Sequence, residues 1–318
     1  MEQKQNQNIG VVGLGLMGTS IVTCLLASGH QVVGIDRELI KVNAVQEQIK
    51  INLTQLRSEG LLETEVDNIM SNFQFATKLE GLVHCDLIVE TITENLEIKI
   101  QLLTELESIV SPAVVIGSNT SAIPVSLLQK DLKHPERIIG LHWAEPAHIT
   151  KFMEIVCGDQ TDLTLAKEMM VLVERWGKEP SLLQKDIKGF ITNRIMYAML
   201  REAFYLVENG YASIESVDRS LRNDLGYWIS FAGPFRFMDL TGIPAYLTVM
   251  EDLFPDLDRS TAAPKMMQKL VDSGAKGVDN AQGFYPYTEE SANKWKEDFT
   301  QFSYDIRKLT EKYSSEND

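Results

Sequence analysis

The stretch IGVVGLGLMGTSIVTCLLASGHQVVGID, residues 9–36, contains two apolar runs joined by a glycine-rich turn and a helical pattern. Residues 9–13 predict a buried strand, and residues 15–29 predict a helix that ends at Gly29. Residues 31–36 predict a second strand. A strand, a helix and a strand in this order are typical of a parallel βαβ unit, so the stretch predicts an α/β fold at the start of the chain.

Three glycines lie between the first predicted strand and the first predicted helix, in the G-x-G-x-x-G spacing. Gly13 permits a tight turn, Gly15 lets a pyrophosphate approach the backbone, and Gly18 lets the helix pack closely on the strand. The free N–H groups and the positive dipole end of the helix favour an anion at this point. The loop therefore predicts a dinucleotide site formed by Gly13, Leu14, Gly15, Leu16, Met17 and Gly18.

The end of the second predicted strand indicates which dinucleotide binds. Asp36 lies there, and a carboxylate can accept hydrogen bonds from both ribose hydroxyls while repelling a 2′-phosphate. Arg37 follows and softens that preference. We therefore predict NAD as the cofactor, with Asp36 and Arg37 among its contacts.

The alternation of strands and helices continues to about residue 186 and then stops. Further strands are predicted at 85–91, 113–119, 137–143 and 151–157, with helices at 37–60, 63–73 and 94–110. Beyond residue 187 the patterns are helical, at 189–209, 213–225, 233–253 and 261–273. The sequence thus predicts a Rossmann-type domain with a mostly parallel sheet over residues 1–186 and an all-α domain over residues 187–318.

Composition limits the partners and the compartment. The 318-residue chain is 44% hydrophobic with a formal net charge of −15, which disfavours nucleic acid and favours a small-molecule partner. Its three cysteines are far apart and lack CxxC spacing, so neither a disulfide framework nor a metal site is predicted. The start, MEQKQNQN, has no apolar signal core, and no apolar run approaches the ~20 residues of a membrane helix. These features predict a soluble cytoplasmic protein.

The segment LHWAEPAHITKFMEI, residues 141–155, carries the candidate catalytic groups. Oxidation of a secondary alcohol needs a base, and histidine suits this task because its unperturbed pKa is about 6.5. A carboxylate can orient such a base and balance its charge. Glu154 lies in an apolar strand, where burial is costly without a partner, so we predict a His142–Glu154 pair. His148 is expected to be an ordinary turn or surface residue.

Six segments in order resemble the L-3-hydroxyacyl-CoA dehydrogenase family. They are VETITENLEIK (89–99), SNTSA (118–122), the strand with His142 followed by Glu154, KDIKGFITNR (185–194), AGPFRFMDLTG (232–242) and QGFYPY (282–287). The resemblance implies NAD-dependent oxidation of the secondary alcohol of a 3-hydroxyacyl substrate to the 3-keto product, with His142 as the general base. It also implies a homodimer that pairs through the helical domain, and a place in fatty acid metabolism.

The resemblance also implies roles for four other residues. Ser121 would hydrogen-bond the reacting oxygen of the substrate and lie near the cofactor. Asn193 would reach back to the active site from the start of the helical domain. Glu94 and Lys99 match family positions that contact the nicotinamide side of the cofactor.

The chain departs from the family pattern in three places. Glu145 stands where the family usually has asparagine, three residues after the histidine, and an anion there disfavours a substrate carboxylate and favours a cation or a hydroxyl-rich group. Asp279 stands where the family usually has a lysine. The region after Asp36, which contacts CoA in typical members, is difficult to align and offers only Lys41, Lys50 and Arg57.

These departures leave the substrate open. The enzyme could oxidise a CoA thioester, or a free 3-hydroxy acid or sugar acid without CoA. A non-catalytic NAD-binding protein on the same scaffold is the alternative from another class. A related dehydrogenase group uses a lysine base, for which Lys188 is available, but the His142–Glu154 spacing and the GPF and GFY motifs favour the first family.

Overall fold

The structure is a computed structural model that describes residues 6–313. The prediction of no signal peptide depends on the polar start of the chain. Most of that start, residues 1–5, lies outside the described range. The chain divides into two compact units, the first ending at Asn193 and the second beginning at Arg194. The sequence alone placed the boundary slightly earlier, after Asp186.

The first unit is built on one eight-stranded sheet with the strand order β3-β2-β1-β4-β5-β6-β7-β8. All neighbouring strands are parallel except β6 and β7, which are antiparallel. The mostly parallel Rossmann-type sheet predicted from the sequence is confirmed. The strands are β1 Asn8–Val12, β2 Gln31–Ile35, β3 Phe73–Ala76, β4 Leu87–Glu90, β5 Val115–Ser118, β6 Ile138–Trp143, β7 Phe152–Cys157 and β8 Glu179–Leu183.

Helices connect these strands and cover the sheet. They are α1 Leu16–Ala27, α2 Val42–Ser58, α3 Val66–Met70, α4 Leu96–Ile109, α5 Val125–Leu128 and α6 Leu163–Glu174. α1 is apolar on nearly every face because it lies between the sheet and α2, and nine of its residues are buried. The apolar side of α4 packs into the same core as β5 and β6 through Leu103, Leu106, Ile116 and Ile138.

Two strands and two helices of this unit were not predicted, the helices being α6 and the short α5. β3 begins at Phe73, where the sequence predicted the end of a helix, and the observed helix α3 already ends at Met70. β8 contains Pro180, which breaks the usual strand pattern, but a proline is tolerated at the edge of a sheet and β8 is the edge strand. α6 precedes it and packs on β7 and β8.

The second unit is helical, as predicted. Its helices are α7 Thr192–Glu208, α8 Ile214–Asn223, α9 Leu225–Ile229, α10 Pro234–Thr241, α11 Ile243–Leu253, α12 Lys265–Asp272 and α13 Glu289–Tyr313. The helix predicted at 233–253 is two helices, because Gly242 between them has a φ of 108°, outside the helical range. The 25-residue α13 was not predicted. Within residues 6–313, every helix is too short or too polar to cross a membrane.

Candidate active site

The glycine loop between β1 and α1 is shaped by close backbone contacts. A Cβ at Gly18 would lie 1.8 Å from the carbonyl oxygen of Gly13, and Gly13 itself has a φ of 98°. The Thr91 hydroxyl fixes the turn by donating to that carbonyl oxygen at 2.7 Å. A Cβ at Gly15, by contrast, would meet nothing within 4 Å. The loop therefore keeps open space at the position where a pyrophosphate must approach the backbone.

The start of α1 and the end of β2 complete this site. Gly15 caps α1 without any side-chain hydrogen bond, so the first N–H groups of the helix are left for an anion, and Leu16 is exposed. Asp36 accepts a hydrogen bond from the Leu14 N–H at 3.3 Å, which places its carboxylate against the loop. Arg37 is exposed beside it. These residues fit a dinucleotide with an unphosphorylated 2′-hydroxyl.

His142 and Glu154 are direct partners across the antiparallel strands β6 and β7. Residues opposite each other in such a pair project from the same face of the sheet. Nδ1 of His142 lies 2.7 Å from Oε2 of Glu154, and both side chains are buried. The geometry expected from strand spacing is therefore present in the structure.

Glu154 is held in its charged form by several donors. Burial alone would raise the pKa of its carboxyl, but hydrogen bonds from His142 and from the Thr192 and Ile191 N–H groups outweigh this and lower the pKa. Those two N–H groups lie 3.0 and 3.1 Å from Oε1. Because a carboxylate can only accept, Nδ1 of His142 carries the hydrogen, and Nε2 is the nitrogen that presents a lone pair in the neutral imidazole.

Two phenylalanines fix the orientation of the histidine ring. Phe152 and Phe190 each meet the ring of His142 edge-on, with ring centroids 5.5 Å apart. Phe190 is buried, and its φ of 51° is unusual for a residue other than glycine. It immediately precedes the two N–H groups that bind Glu154, so this backbone turn serves both members of the pair.

The SNTSA loop presents Ser121 at the surface of the same unit. Oε1 of Glu94 accepts hydrogen bonds from the Thr120 hydroxyl at 2.6 Å and from the N–H groups of Ser121 and Ala122 at 3.0 and 3.1 Å. Nδ2 of Asn193 donates to the carbonyl oxygen of Ser121 at 2.7 Å. Asn193 and Ser121 are thus brought together, with the amide of Asn193 engaged by the backbone of the loop and the Ser121 side chain exposed.

Lys99 lies beneath this loop and is fully buried. Its Nζ donates to Oε1 of Glu90 at 2.6 Å and lies 3.5 Å from Oε2 of Glu94. The Ser118 hydroxyl donates to the other oxygen of Glu90. Lys99 and Glu94 therefore support the loop in this arrangement. Glu90 was not among the predicted site residues, although a carboxylate that ends a buried apolar strand signals a hidden partner.

The turn after β6, residues 144–150, is also anchored. Lys178 donates through Nζ to the carbonyl oxygens of Ala147 and Thr150, and Oδ1 of Asn119 accepts from the Trp143 N–H at 2.9 Å. His148 lies in this turn, as predicted, but it is buried rather than at the surface, with Nδ1 2.8 Å from the Ser20 hydroxyl. No sequence signal singled out Lys178, which precedes an edge strand and resembles a solvated lysine.

The two residues that depart from the family differ in their surroundings. Glu145 lies in the anchored turn and makes no hydrogen bond or ion pair with any residue in the described range 6–313. Burial raises the pKa of its carboxyl to about 7. Asp279, in the second unit, forms an ion pair with Lys296 at 2.8 Å, which lowers the pKa of its carboxyl. Only Glu145 is left with an unmatched charge.

Comparison with known proteins gives matches over nearly the whole chain. A 5-formyl-3-hydroxy-2-methylpyridine 4-carboxylate 5-dehydrogenase of Mesorhizobium japonicum is 29% identical over 89% of this chain and 92% of its own length. The crystal structure of an NAD⁺-dependent enzyme of that name aligns with a TM-score of 0.90, 27% identity, 96% of this chain and 98% of that one.

Two other proteins extend the comparison. An L-carnitine dehydrogenase of Staphylococcus epidermidis is 30% identical over 95% of this chain and 94% of its own length. The crystal structure of an (S)-3-hydroxybutyryl-CoA dehydrogenase from Ralstonia eutropha aligns with a TM-score of 0.74, 28% identity, 89% of this chain and 99% of that one.

Family models match both parts of the chain in order. The NAD binding domain of 3-hydroxyacyl-CoA dehydrogenase matches residues 8–187, and the C-terminal domain of the same family matches residues 189–287. The residue motifs predicted the same family and cofactor. The chain therefore belongs to the 3-hydroxyacyl-CoA dehydrogenase family, a family of oxidoreductases whose N-terminal domain binds NAD.

Proposed function

We propose that the chain oxidises the secondary alcohol of a 3-hydroxyacyl-type substrate to the ketone, with His142 as the general base. The observation that supports this most strongly is the 2.7 Å contact between Nδ1 of His142 and the ionised Glu154. It leaves Nε2 of His142 as a proton acceptor, and in the described range no residue hydrogen-bonds that nitrogen.

The residues of the site divide the work of the reaction. NAD, which the glycine loop and Asp36 fit, supplies the hydride acceptor when bound. His142 takes the hydroxyl proton at Nε2, and Glu154 stabilises the imidazolium that forms. The Ser121 hydroxyl holds the reacting oxygen, while Asn193 and Glu94 hydrogen-bond the backbone of the Ser121 loop.

The basic residues offered for CoA favour a substrate without CoA. Nζ of Lys41 lies 2.8 Å from a Glu38 oxygen, and Nζ of Lys50 lies 4.0 Å from an Asp67 oxygen. Arg57 forms an ion pair with Glu65. Each cation already has a carboxylate beside it, so the region after Asp36 offers little net positive charge to the phosphates of CoA.

Two of the relatives favour the same choice. The 5-formyl-3-hydroxy-2-methylpyridine 4-carboxylate 5-dehydrogenase and the L-carnitine dehydrogenase are both named for substrates that carry no CoA. We therefore propose a free 3-hydroxy acid as the substrate.

Assembly and compartment are part of the proposal. Large apolar side chains of the second unit, such as Tyr227, Phe235 and Leu247, are exposed in the single chain, which supports a homodimer through the helical unit. The three cysteines are free and buried, which supports a reducing compartment such as the cytoplasm.

The test is formation of NADH by the purified chain with a panel of free 3-hydroxy acids and with 3-hydroxybutyryl-CoA. His142→Gln should lower turnover by roughly 10²–10⁴-fold, the usual scale of general-base catalysis, while NADH binding stays near normal. His84→Gln, at an exposed histidine of the same unit, serves as the control. Turnover that survives His142→Gln would refute the catalytic assignment, and turnover of the thioester alone would refute the free-acid assignment.

A further inference from the structure

Glu145 is held close to the reacting centre. It lies three residues after His142, at the carboxyl end of β6, where ligands bind in open α/β sheets. Three residues of chain span at most about 10 Å, so its backbone lies within that distance of the candidate base. A carboxylate at this place is therefore within reach of a small substrate bound at His142.

The turn that carries Glu145 is fixed on both sides. The Thr150 hydroxyl donates to the carbonyl oxygen of Ala144 at 3.3 Å, and Lys178 holds the carbonyl oxygens of Ala147 and Thr150. The N–H groups of Ile149 and Thr150 both bind the Pro146 carbonyl oxygen at 3.0 Å. Glu145 is therefore presented by a preorganised turn, so that little ordering is required when a ligand binds.

The charge of Glu145 is the exception among the carboxylates around the site. Glu90, Glu94 and Glu154 each accept several hydrogen bonds from described residues. Glu145 has no such partner between residues 6 and 313, and its side chain is exposed at the end of β6. An exposed carboxylate that no donor occupies is available to a ligand that supplies a positive charge.

The charges of the expected ligands indicate which substrates Glu145 would favour. A free hydroxy acid and the dinucleotide phosphates are anions, so an ionised Glu145 repels them. An ammonium group on the substrate reverses the sign of this interaction. Phe152, whose ring is partly exposed beside His142, adds an aromatic surface of the kind that attracts ammonium groups.

Resting on the proposed oxidation of a free hydroxy acid, we propose that Glu145 binds the ammonium group of a substrate that carries both a 3-hydroxy acid and a positive charge. The charge is borne by a quaternary or protonated amine close to the hydroxyl-bearing carbon. Glu145 then sets specificity through its charge, while His142 performs the proton transfer.

The test compares two acids of the same shape that differ in charge. The cationic acid, 3-hydroxy-4-(trimethylammonio)butyrate, and its carbon isostere, 3-hydroxy-5,5-dimethylhexanoate, are each assayed for NADH formation with the full chain. The isostere is called the neutral acid because an uncharged carbon replaces the ammonium nitrogen, while both compounds keep the carboxylate. The cationic acid should have a kcat/KM at least about tenfold higher than the neutral acid, since tenfold is about 1.4 kcal/mol, within the range of one charge-assisted contact. Glu145→Gln, which keeps the shape of the side chain, should bring that ratio to near one.

Glu174→Gln removes one exposed carboxylate from the end of α6 and should leave the ratio unchanged. The ammonium proposal is overturned if the neutral acid, an acid rich in hydroxyl groups or 3-hydroxybutyryl-CoA is oxidised with a kcat/KM equal to or higher than that of the cationic acid. The proposed dehydrogenase function survives that result. If no compound is oxidised, the proposed function fails, and calorimetry decides the role of Glu145. The NADH-loaded chain should bind the cationic acid at least about tenfold more tightly than the neutral acid, and Glu145→Gln should abolish the difference. Equal binding, or none, overturns the proposal.

Discussion

The two units of this chain differ in how far they bury their side chains. The first unit buries a continuous apolar core and pairs most of its buried charges internally, as Lys99 with Glu90 and His142 with Glu154 show. In the second unit, helices α7, α10, α11 and α12 contain no buried residue, and large apolar side chains lie at the surface.

This difference separates two kinds of information in the sequence. In the first unit, buried pairs specify chemistry, because a charge in a dry environment is tolerated only with its partner. In the second unit, exposed apolar side chains fit the proposed homodimer, because an exposed apolar surface is stabilised when another surface covers it. Substitutions should therefore change catalysis and cofactor binding in the first unit, and assembly in the second.

The largest effect is expected from breaking the buried pair of the first unit. Glu154→Gln removes the counter-charge of His142 and replaces an acceptor of two N–H groups with an amide, so kcat should fall by roughly 10²–10⁴-fold. The variant should also lose the part of the pH dependence of stability that comes from the Glu154 carboxylate. Because the pKa of Glu154 is lowered on folding, its stabilisation is present above the unfolded pKa of about 4.5 and is lost as the pH falls below it.

Thermal melts of wild type and Glu154→Gln between pH 3 and pH 7, together with NADH assays, measure both effects. The melting temperatures should converge as the pH falls. A difference that stays constant over this range would show that the Glu154 charge does not stabilise the fold.

The next effect concerns the glycine loop of the first unit. Gly18→Ala places a methyl group 1.8 Å from the Gly13 carbonyl oxygen, so the loop must move and NADH affinity should fall by about 100-fold or more, the loss of at least ~2.7 kcal/mol. Gly15→Ala meets nothing within 4 Å and should keep the melting temperature while weakening NADH binding, because its methyl group occupies the space of the pyrophosphate. Fluorescence titration with NADH measures both, and normal affinity in Gly18→Ala would contradict the loop as the cofactor site.

The sequence predicted the first unit well where local chemistry is explicit. Gly13, Gly15 and Gly18 have a spacing that only a tight turn before a helix explains, and Glu154 in an apolar strand requires a partner. Lys178 and His148 could not be predicted, because their partners are backbone carbonyl oxygens and a serine brought close only by the folded turn. The long helix α13 lay beyond the family motifs and was overlooked.

The second unit provides the test of association. Phe235→Glu and Leu247→Glu place a charge on exposed apolar positions of α10 and α11, so they should convert the proposed homodimer to a monomer. Because both side chains are exposed in the single chain, the stability of the monomer itself should change by only about 0.5 kcal/mol. Sedimentation velocity measures the change, with Thr104→Glu on the exposed side of α4 as the control. A wild-type chain that is monomeric at all concentrations would contradict the comparison of the two units.

The smallest effect is expected at Glu145, the carboxylate that lies three residues after His142 in the first unit. The pKa of Glu145 is raised to about 7, so between the unfolded pKa of about 4.5 and pH 7 the folded chain holds a proton that the unfolded chain has released. Stability contributed by this group is therefore full at low pH and is lost as the pH rises. Glu145→Gln removes the loss, so its melting temperature should rise relative to wild type from pH 5 to pH 8, by a few degrees at most because the side chain is partly open to water. The same scan with Glu174→Gln should show no such trend, and adding a cationic 3-hydroxy acid with NADH should raise the melting temperature of wild type at pH 8 more than that of Glu145→Gln. A parallel pH profile for wild type and Glu145→Gln would mean that water alone solvates the Glu145 carboxylate. No ligand would then be needed to balance its charge.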